Sequence, residues 1–323
     1  MSPTTLSIGC GGYDRIRPLQ DGRVAVDGHT LAIRVMAPAP IVAASYGSGE
    51  LDVAEISTGS LAQRADQGIK GYVGVPAFVS LAMRHDCLYV PAHGARRRPK
   101  DLNGARLGIG DFAGTTGIWL RGMLQDEYGV DLRSIEWVFG PTDTPAPAAK
   151  TPTVGTGYRA VAASEGRSLV DLVRARELDG LVSIRVPKSF AAREGLLVRL
   201  FDDLPAAEAA TIRHLGAPPA LHPLALKESR IAADPALPAK LLAAFTRAKD
   251  IALAELRETS IYHASLPSLL QAVERAESML GPDFYPYGLE RHRKGIEAFC
   301  RYCHEQGLTK RRVAVAELFP HFA

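Results

Sequence analysis

The strongest constraint on the fold is an alternation. Short runs rich in β-branched and aliphatic residues recur at 5–9, 31–36, 53–56, 71–75, 87–90, 106–109, 135–139, 180–184, 196–201 and 224–226. Helical patterns lie between several of them, at 40–48, 60–67, 116–128 and 168–176. Antiparallel neighbours can be joined by a tight turn, whereas parallel neighbours need a crossover. Strands separated by helices therefore predict an α/β architecture with a mainly parallel sheet. After Asp234 the alternation stops. Residues 235–258, 267–280 and 290–305 read as three helices, with a closing piece at 313–319.

Composition narrows the class. A chain of 323 residues that is 46% hydrophobic can bury enough apolar surface to offset its ordering entropy, which excludes disorder as its main theme. The length suits about two domains of roughly 100–200 residues each. No apolar run approaches the roughly 18 residues a spanning helix requires. With 38 basic and 35 acidic residues interspersed, the chain has no electrostatic footprint for nucleic acid or an anionic membrane. Arg96-Arg97-Arg98 reads as a solvated connection within 92–99, and 141–157 as a Pro/Thr/Ala/Gly loop, either functional or mobile. No internal repeat is visible. The start of the chain carries no basic or long apolar leader, and four cysteines are too few for a disulfide framework. The expectation is a cytoplasmic protein with free thiols.

Several motifs carry chemistry and a plainer alternative. Cys300-Arg301-Tyr302-Cys303-His304 spells a haem-attachment pattern, but it sits on an amphipathic run with Ile296 and Phe299, where small apolar cysteines suit a helix face. With no second ligand pair at zinc spacing, no metal is expected. Gly108-Ile109-Gly110-Asp111-Phe112-Ala113 fits a dinucleotide fingerprint, yet the next strand ends in Gly140-Pro141 and lacks the acid that would hold a ribose. A carboxylate site at a helix start, with Thr115 and Thr116 hydroxyls, and a simple capped turn both remain open. Gly11-Gly12-Tyr13-Asp14-Arg15 and Ser57-Thr58-Gly59-Ser60 each follow a strand, where ligands collect in open α/β sheets. His85, within Met83-Arg84-His85-Asp86-Cys87, and His222, leading into a strand, are candidate acid–base groups or ordinary hydrogen-bonded histidines. Cys87 with either histidine would make a nucleophile pair, with no third orienting group implied.

Taken together the chain resembles the 4,5-dihydroxyphthalate decarboxylase family. The resemblance is carried by Gly12-Tyr13-Asp14-Arg15, Leu51 through Ser57, Arg84-His85, Trp119 through Leu124, Tyr128-Gly129-Val130, Leu178-Asp179-Gly180, Met279 through Phe284, Tyr287 through Glu290 and His304 through Leu308. It implies a two-lobed, type II periplasmic-binding-protein-like α/β fold with the C-terminal helices packed on lobe one and ligand in the cleft between lobes. Lobe one would be 1–90 and 215–323, lobe two 95–205, with crossovers near 91–95 and 206–214. Departures stand at Leu81, Asp86, 111–115 and 141–150, where the family tends to other residues, so the family is firmer than the substrate.

The function implied is cofactor-independent decarboxylation of a hydroxylated aromatic carboxylate, by protonation of a ring carbon and loss of carbon dioxide. Under this reading His85, His222 and Asp14 are the catalytic candidates. Tyr13, Arg15, Ser57, Thr58, Arg84, Thr115, Thr116 and Arg185 are the substrate-binding ones, since guanidinium groups hold carboxylates bidentately. No metal and no cofactor is expected. The partner is a small aromatic carboxylate, neither nucleic acid nor membrane, with room for a homo-oligomer. The alternative is a solute-binding protein that holds a small carboxylate and performs no chemistry.

Overall fold

A computed structural model describes residues 4–145, 147 and 154–322; residues 146 and 148–153 of the long loop lie outside the described residues. In chain order the strands are β1 Thr4–Cys10, β2 His29–Val35, β3 Val53–Glu55, β4 Tyr72–Leu81, β5 Leu88–Pro91, β6 Arg106–Ile109, β7 Glu136–Phe139, β8 Arg159–Ala162, β9 Gly180–Val182, β10 Leu197–Arg199 and β11 Ala220–Lys227. The chain divides into two compact units. The first holds the chain up to Leu81, Ala220–Ile296 and the chain from Val313 onward; the second holds Ala82–Pro219 and Glu297–Arg312.

These passages differ from the sequence expectation in two places. Residues 206–214, expected to be a crossover, belong to a helix, Leu204–Leu215. Asp203 caps it by accepting the Ala206 N–H at 3.0 Å, with Pro205 pre-set in the first turn. The chain changes unit at 81/82 and 219/220, so Arg84 and His85 belong to the second unit. The C-terminal helices are also divided. Phe299 and Tyr302, on the helix Leu289–Glu305, pack their rings on Trp119, which draws 297–312 into the second unit.

In the first unit the sheet order is β2-β1-β3-β11-β4. β1 is parallel to β2 and β3, while β11 runs antiparallel to β3 and β4. The carboxyl ends of β1, β3 and β4 therefore share one edge with the amino end of β11. β3 is buried along its whole length, as a strand covered on both faces must be. Leu6, Ile8, Val53, Val75, Leu224 and Phe245 lie at the centre of this core.

The second sheet has the order β10-β5-β9-β6-β7-β8, with β9, β6, β7 and β8 parallel. β8 has no counterpart in the sequence reading, because a short, partly exposed edge strand carries no apolar run. Behind β6 comes the helix Thr115–Tyr128, which starts at Gly114 and stops at Gly129 in the left-handed conformation, φ 64°. Every residue from Thr115 to Leu124 is buried, so this helix belongs to the interior rather than the surface. Cys300 and Cys303 are fully buried and in no disulfide, and the haem-like spelling is part of a packed helix.

Gly122, in the middle of that helix, lies where a methyl group would overlap the Tyr302 ring. In an open helix Gly→Ala gains about 1 kcal/mol. Here overpacking reverses the sign, and Gly122→Ala should lose roughly 1–3 kcal/mol in urea unfolding. A stabilised variant would show that the two side chains do not pack as described.

Candidate active site

On the shared edge of the first sheet a carboxylate ends an otherwise apolar strand. The Glu55 side chain is only 3% exposed, and an ionised carboxylate there requires several donors. It has three. The Gly11 N–H donates at 2.8 Å, the Tyr13 hydroxyl at 2.7 Å, and His222 Nδ1 stands 2.7 Å from Oε1. Burial alone would raise the carboxyl pKa. The His222 hydrogen bond and charge, with the Gly11 amide and Tyr13 hydroxyl, outweigh burial and hold it below its ordinary range. Glu55 is thus an anion at neutral pH. Burial and the Glu55 charge push the Tyr13 hydroxyl well up, so it stays a protonated donor.

Local sequence explains each placement. Gly11 leaves room for the Tyr13 ring, whose Cζ would stand 2.7 Å from a Cβ at that position. Pro223 has no N–H for the ladder, and the pairing of β11 with β4 shifts register on both sides of His222. Such bulges re-aim a side chain. Thr58 fixes the same segment by donating to the carbonyls of Ala220 at 2.8 Å and Leu221 at 3.0 Å. With Nδ1 on Glu55, His222 keeps Nε2 without a partner among the described residues and is 24% exposed. A carboxylate that orients an imidazole and leaves its other nitrogen open has the geometry of an acid–base pair.

The remaining first-unit candidates surround this pair. Arg15 lies over the rings of Tyr13, at 4.0 Å, and Tyr285, at 4.3 Å. Its Nε donates to the Val79 carbonyl at 3.0 Å, and Nη1 meets Asp14 at 3.1 Å. Arg15 and Asp14 are therefore committed to each other and to the fold. Ser57 caps the helix Thr58–Asp66 by accepting the Ser60 N–H at 3.1 Å. Cys10 is buried, and burial and Glu55 raise its thiol to about 12, which leaves it unreactive.

In the second unit a cavity of about 730 Å³ opens at the carboxyl ends of β6, β7 and β9. Thr116 and Gly117, at the start of the helix Thr115–Tyr128, form one wall; Ser183, Arg185 and Lys188 form another. Gly114 offers no side-chain cap, Asp111 accepts the Ala113 N–H at 2.9 Å just before it, and the positive end of the helix dipole lies at the wall formed by Thr116 and Gly117. Thr115 is buried beside Thr116. Ile184 and Val186, 61% and 50% exposed, add apolar surface. Asp111 and Asp143 also line the cavity, so Arg185 and Lys188 are the side chains on it that could meet an anion.

Arg84 and His85 lie elsewhere in the second unit. His85 is fully buried, its ring 5.0 Å from that of Phe201 and its Nε2 3.2 Å from the Thr211 hydroxyl. That environment is an interior one. Of the sequence candidates, then, Tyr13, Asp14, Arg15, Ser57, Thr58 and His222 gather on the first unit, and Thr115, Thr116 and Arg185 on the second. Glu55 is the functional residue the sequence reading passed over; its signal was an acid inside the buried run Val53-Ala54-Glu55-Ile56.

Comparison with known proteins identifies the family. No protein-family model matches the sequence. The chain is 33% identical to a 4,5-dihydroxyphthalate decarboxylase of Comamonas testosteroni over 320 residues, 99% of this chain and 97% of that protein. The chain belongs to the 4,5-dihydroxyphthalate decarboxylase family. A second protein of that name, from Pseudomonas putida, is 28% identical over 204 residues, 63% of this chain and 79% of that one. Among solved structures, the periplasmic aliphatic sulphonate binding protein SsuA of Escherichia coli matches with a TM-score of 0.55, at 13% identity and 98% coverage of both chains. The alkanesulfonate-binding protein SsuA of Xanthomonas axonopodis pv. citri, bound to MOPS, gives 0.52 at 14% identity, covering 99% of each. This member of the 4,5-dihydroxyphthalate decarboxylase family therefore has the two-lobed periplasmic-binding-protein-like fold, and among the described residues no helix is long and apolar enough to cross a membrane.

The buried imidazole of His85 has a measurable consequence. Burial, opposed in part by the Asp86 charge, pushes its pKa down to about 4. As pH falls the unfolded chain takes up this proton first, near the ordinary value of about 6.5. Stability is thus complete above about pH 6.5 and drains toward pH 4, by at most about 3 kcal/mol for this ring. Urea unfolding across that window should show the slope, and His85→Gln should flatten it. An unchanged slope in the variant would place the ring in water.

Proposed function

We propose that this chain decarboxylates a hydroxylated aromatic carboxylate such as 4,5-dihydroxyphthalate, with His222 and Glu55 moving the proton. The observation that carries the reading is the 2.7 Å contact between His222 Nδ1 and a Glu55 carboxylate held ionised by two further donors. Full-length similarity to a protein named for this activity supports it.

The chemistry needs a proton donor at a ring carbon. Loss of a phenolic proton places negative charge on the ring carbon that bears the carboxylate. The His222 imidazolium gives its Nε2 proton to that carbon, which becomes tetrahedral. The bond to the carboxylate then breaks, its electrons restore the aromatic ring, and carbon dioxide leaves. The phenolate and the imidazole are reprotonated from solvent, so one proton is consumed per turnover. Glu55 fixes the ring orientation of His222 and stabilises the imidazolium through Nδ1. Carboxylate binding is assigned to the second unit, to the Thr116–Gly117 helix start and to Arg185. Four buried cysteines in no disulfide suit the cytoplasm, where we place the protein.

Release of carbon dioxide from a panel of hydroxylated benzoates and phthalates tests the reading. His222→Ala should lower turnover by about 10²–10⁴ while ligand binding changes little. Glu55→Gln should lower turnover as well, because the amide no longer presents a charged acceptor to His222 Nδ1. Arg185→Ala should act on KM instead. Full turnover in His222→Ala removes the assignment. Saturable binding with no product from any of the panel favours a binding protein.

A further inference from the structure

The helix Thr115–Tyr128 carries a charge that the mechanism has not used. Arg121 is fully buried and makes no ion pair among the described residues. Its Nε donates to Gln306 Oε1 at 2.9 Å and its Nη2 to the Phe112 carbonyl at 2.5 Å, and its carbon centre lies 3.7 Å over the Phe112 ring. Nη1 is buried with no hydrogen-bond partner. Neutral acceptors and an aromatic face therefore surround a whole positive charge. Burial pushes its pKa down to about 9, with Asp111 acting weakly the other way, and at that value the group remains a cation at neutral pH.

A buried, unpaired guanidinium is costly unless something outside the protein completes it. Nη1 lies directly behind Gly117, where a built Cβ would stand 3.0 Å from it. Gly117 lines the cavity. With no side chain at 117, the Gly117 backbone stands between the buried cation and the cavity, flanked by the Asp111 carbonyl and the end of the Ile109 side chain. The amide dipoles and the Arg121 charge thus act on the same place, one from the helix end and one from beneath it. Arg185 and Lys188 stand on another wall of the same cavity.

We propose that Arg121 is the buried counter-charge of this cavity and makes it selective for aromatic dicarboxylates over monocarboxylates. One carboxylate sits at the Thr116–Gly117 amides above Arg121, and the other meets Arg185 and Lys188. Arg121 is a specificity-determining residue acting through its field, since Gly117 separates it from the ligand. The inference rests on the assignment of carboxylate binding to this cavity, but not on His222.

Calorimetric titration of phthalate, benzoate and dimethyl phthalate tests it, because none of the three carries the phenol that the reaction needs. The unaltered protein should bind phthalate best, benzoate less well and the neutral diester least. Arg121→Gln should weaken phthalate by about tenfold or more and benzoate by less, and Arg121→Lys should recover part of the difference. An Arg121→Gln variant with wild-type circular dichroism and Tm that binds phthalate as before overturns the proposal. Where Arg121→Gln fails to fold, the exposed pair is removed instead. Arg185→Ala/Lys188→Ala should keep phthalate binding that varies little with salt, as a buried charge is poorly screened; complete loss overturns the proposal. Phthalate binding without carbon dioxide release from any hydroxylated substrate refutes the chemistry above and leaves Arg121 in place. An unaltered protein that binds no aromatic carboxylate refutes both.

Discussion

A carboxylate at the end of a buried strand must be either neutralised or surrounded by donors, and Glu55 is surrounded. Around that charge the ends of three strands are arranged. β1 has to stop at Cys10 so that the next amide, that of Gly11, points at the carboxylate. The chain then has to fold back so that the Tyr13 hydroxyl reaches the same oxygen that His222 meets. β11 has to depart from regular pairing at His222 and Pro223. Thr58, at the start of the following helix, ties down the carbonyls just before His222. Remove the negative charge and each of these local conformations loses its reason.

The second unit solves a different electrostatic problem. Among the described residues its cavity has no histidine–carboxylate pair; backbone and hydroxyls, the cations Arg185 and Lys188 and the carboxylates Asp111 and Asp143 line it together with apolar side chains. Charge is supplied partly from a helix end and partly by a guanidinium that the free protein leaves without a carboxylate. The same fold is found in sulphonate-binding proteins, and a fold shared at such low identity says nothing about chemistry. In this chain the proposed chemistry rests on the His222–Glu55 contact.

His85 and His222 show how far residue type alone can go. Both are histidines near a strand, and by sequence both serve equally as acid–base groups. One lies in an apolar interior that keeps it neutral; the other lies at a strand start beside a carboxylate. Arg15 is a similar case. Its position after β1 is legible in the sequence, but its commitment to Val79, Asp14 and two tyrosine rings is not, because those partners come from distant segments. The cavity wall was more legible. Gly114-Thr115-Thr116-Gly117 after a strand marks an uncapped helix start by local chemistry alone.

By itself the sequence determined the alternation of strands and helices, the family, the Gly-permitted turn at 11–12 and the helix start at 115–116. Those features depend on periodicity and on residues close together in the chain. Only the tertiary structure decided where the chain passes between units, that 204–215 is a helix with a defined cap, and that Glu55 rather than His85 accompanies His222. Glu55 and His222 are 167 positions apart. Their meeting follows from strand order and a bulge in one sheet, and a one-dimensional pattern holds no record of which strands become neighbours.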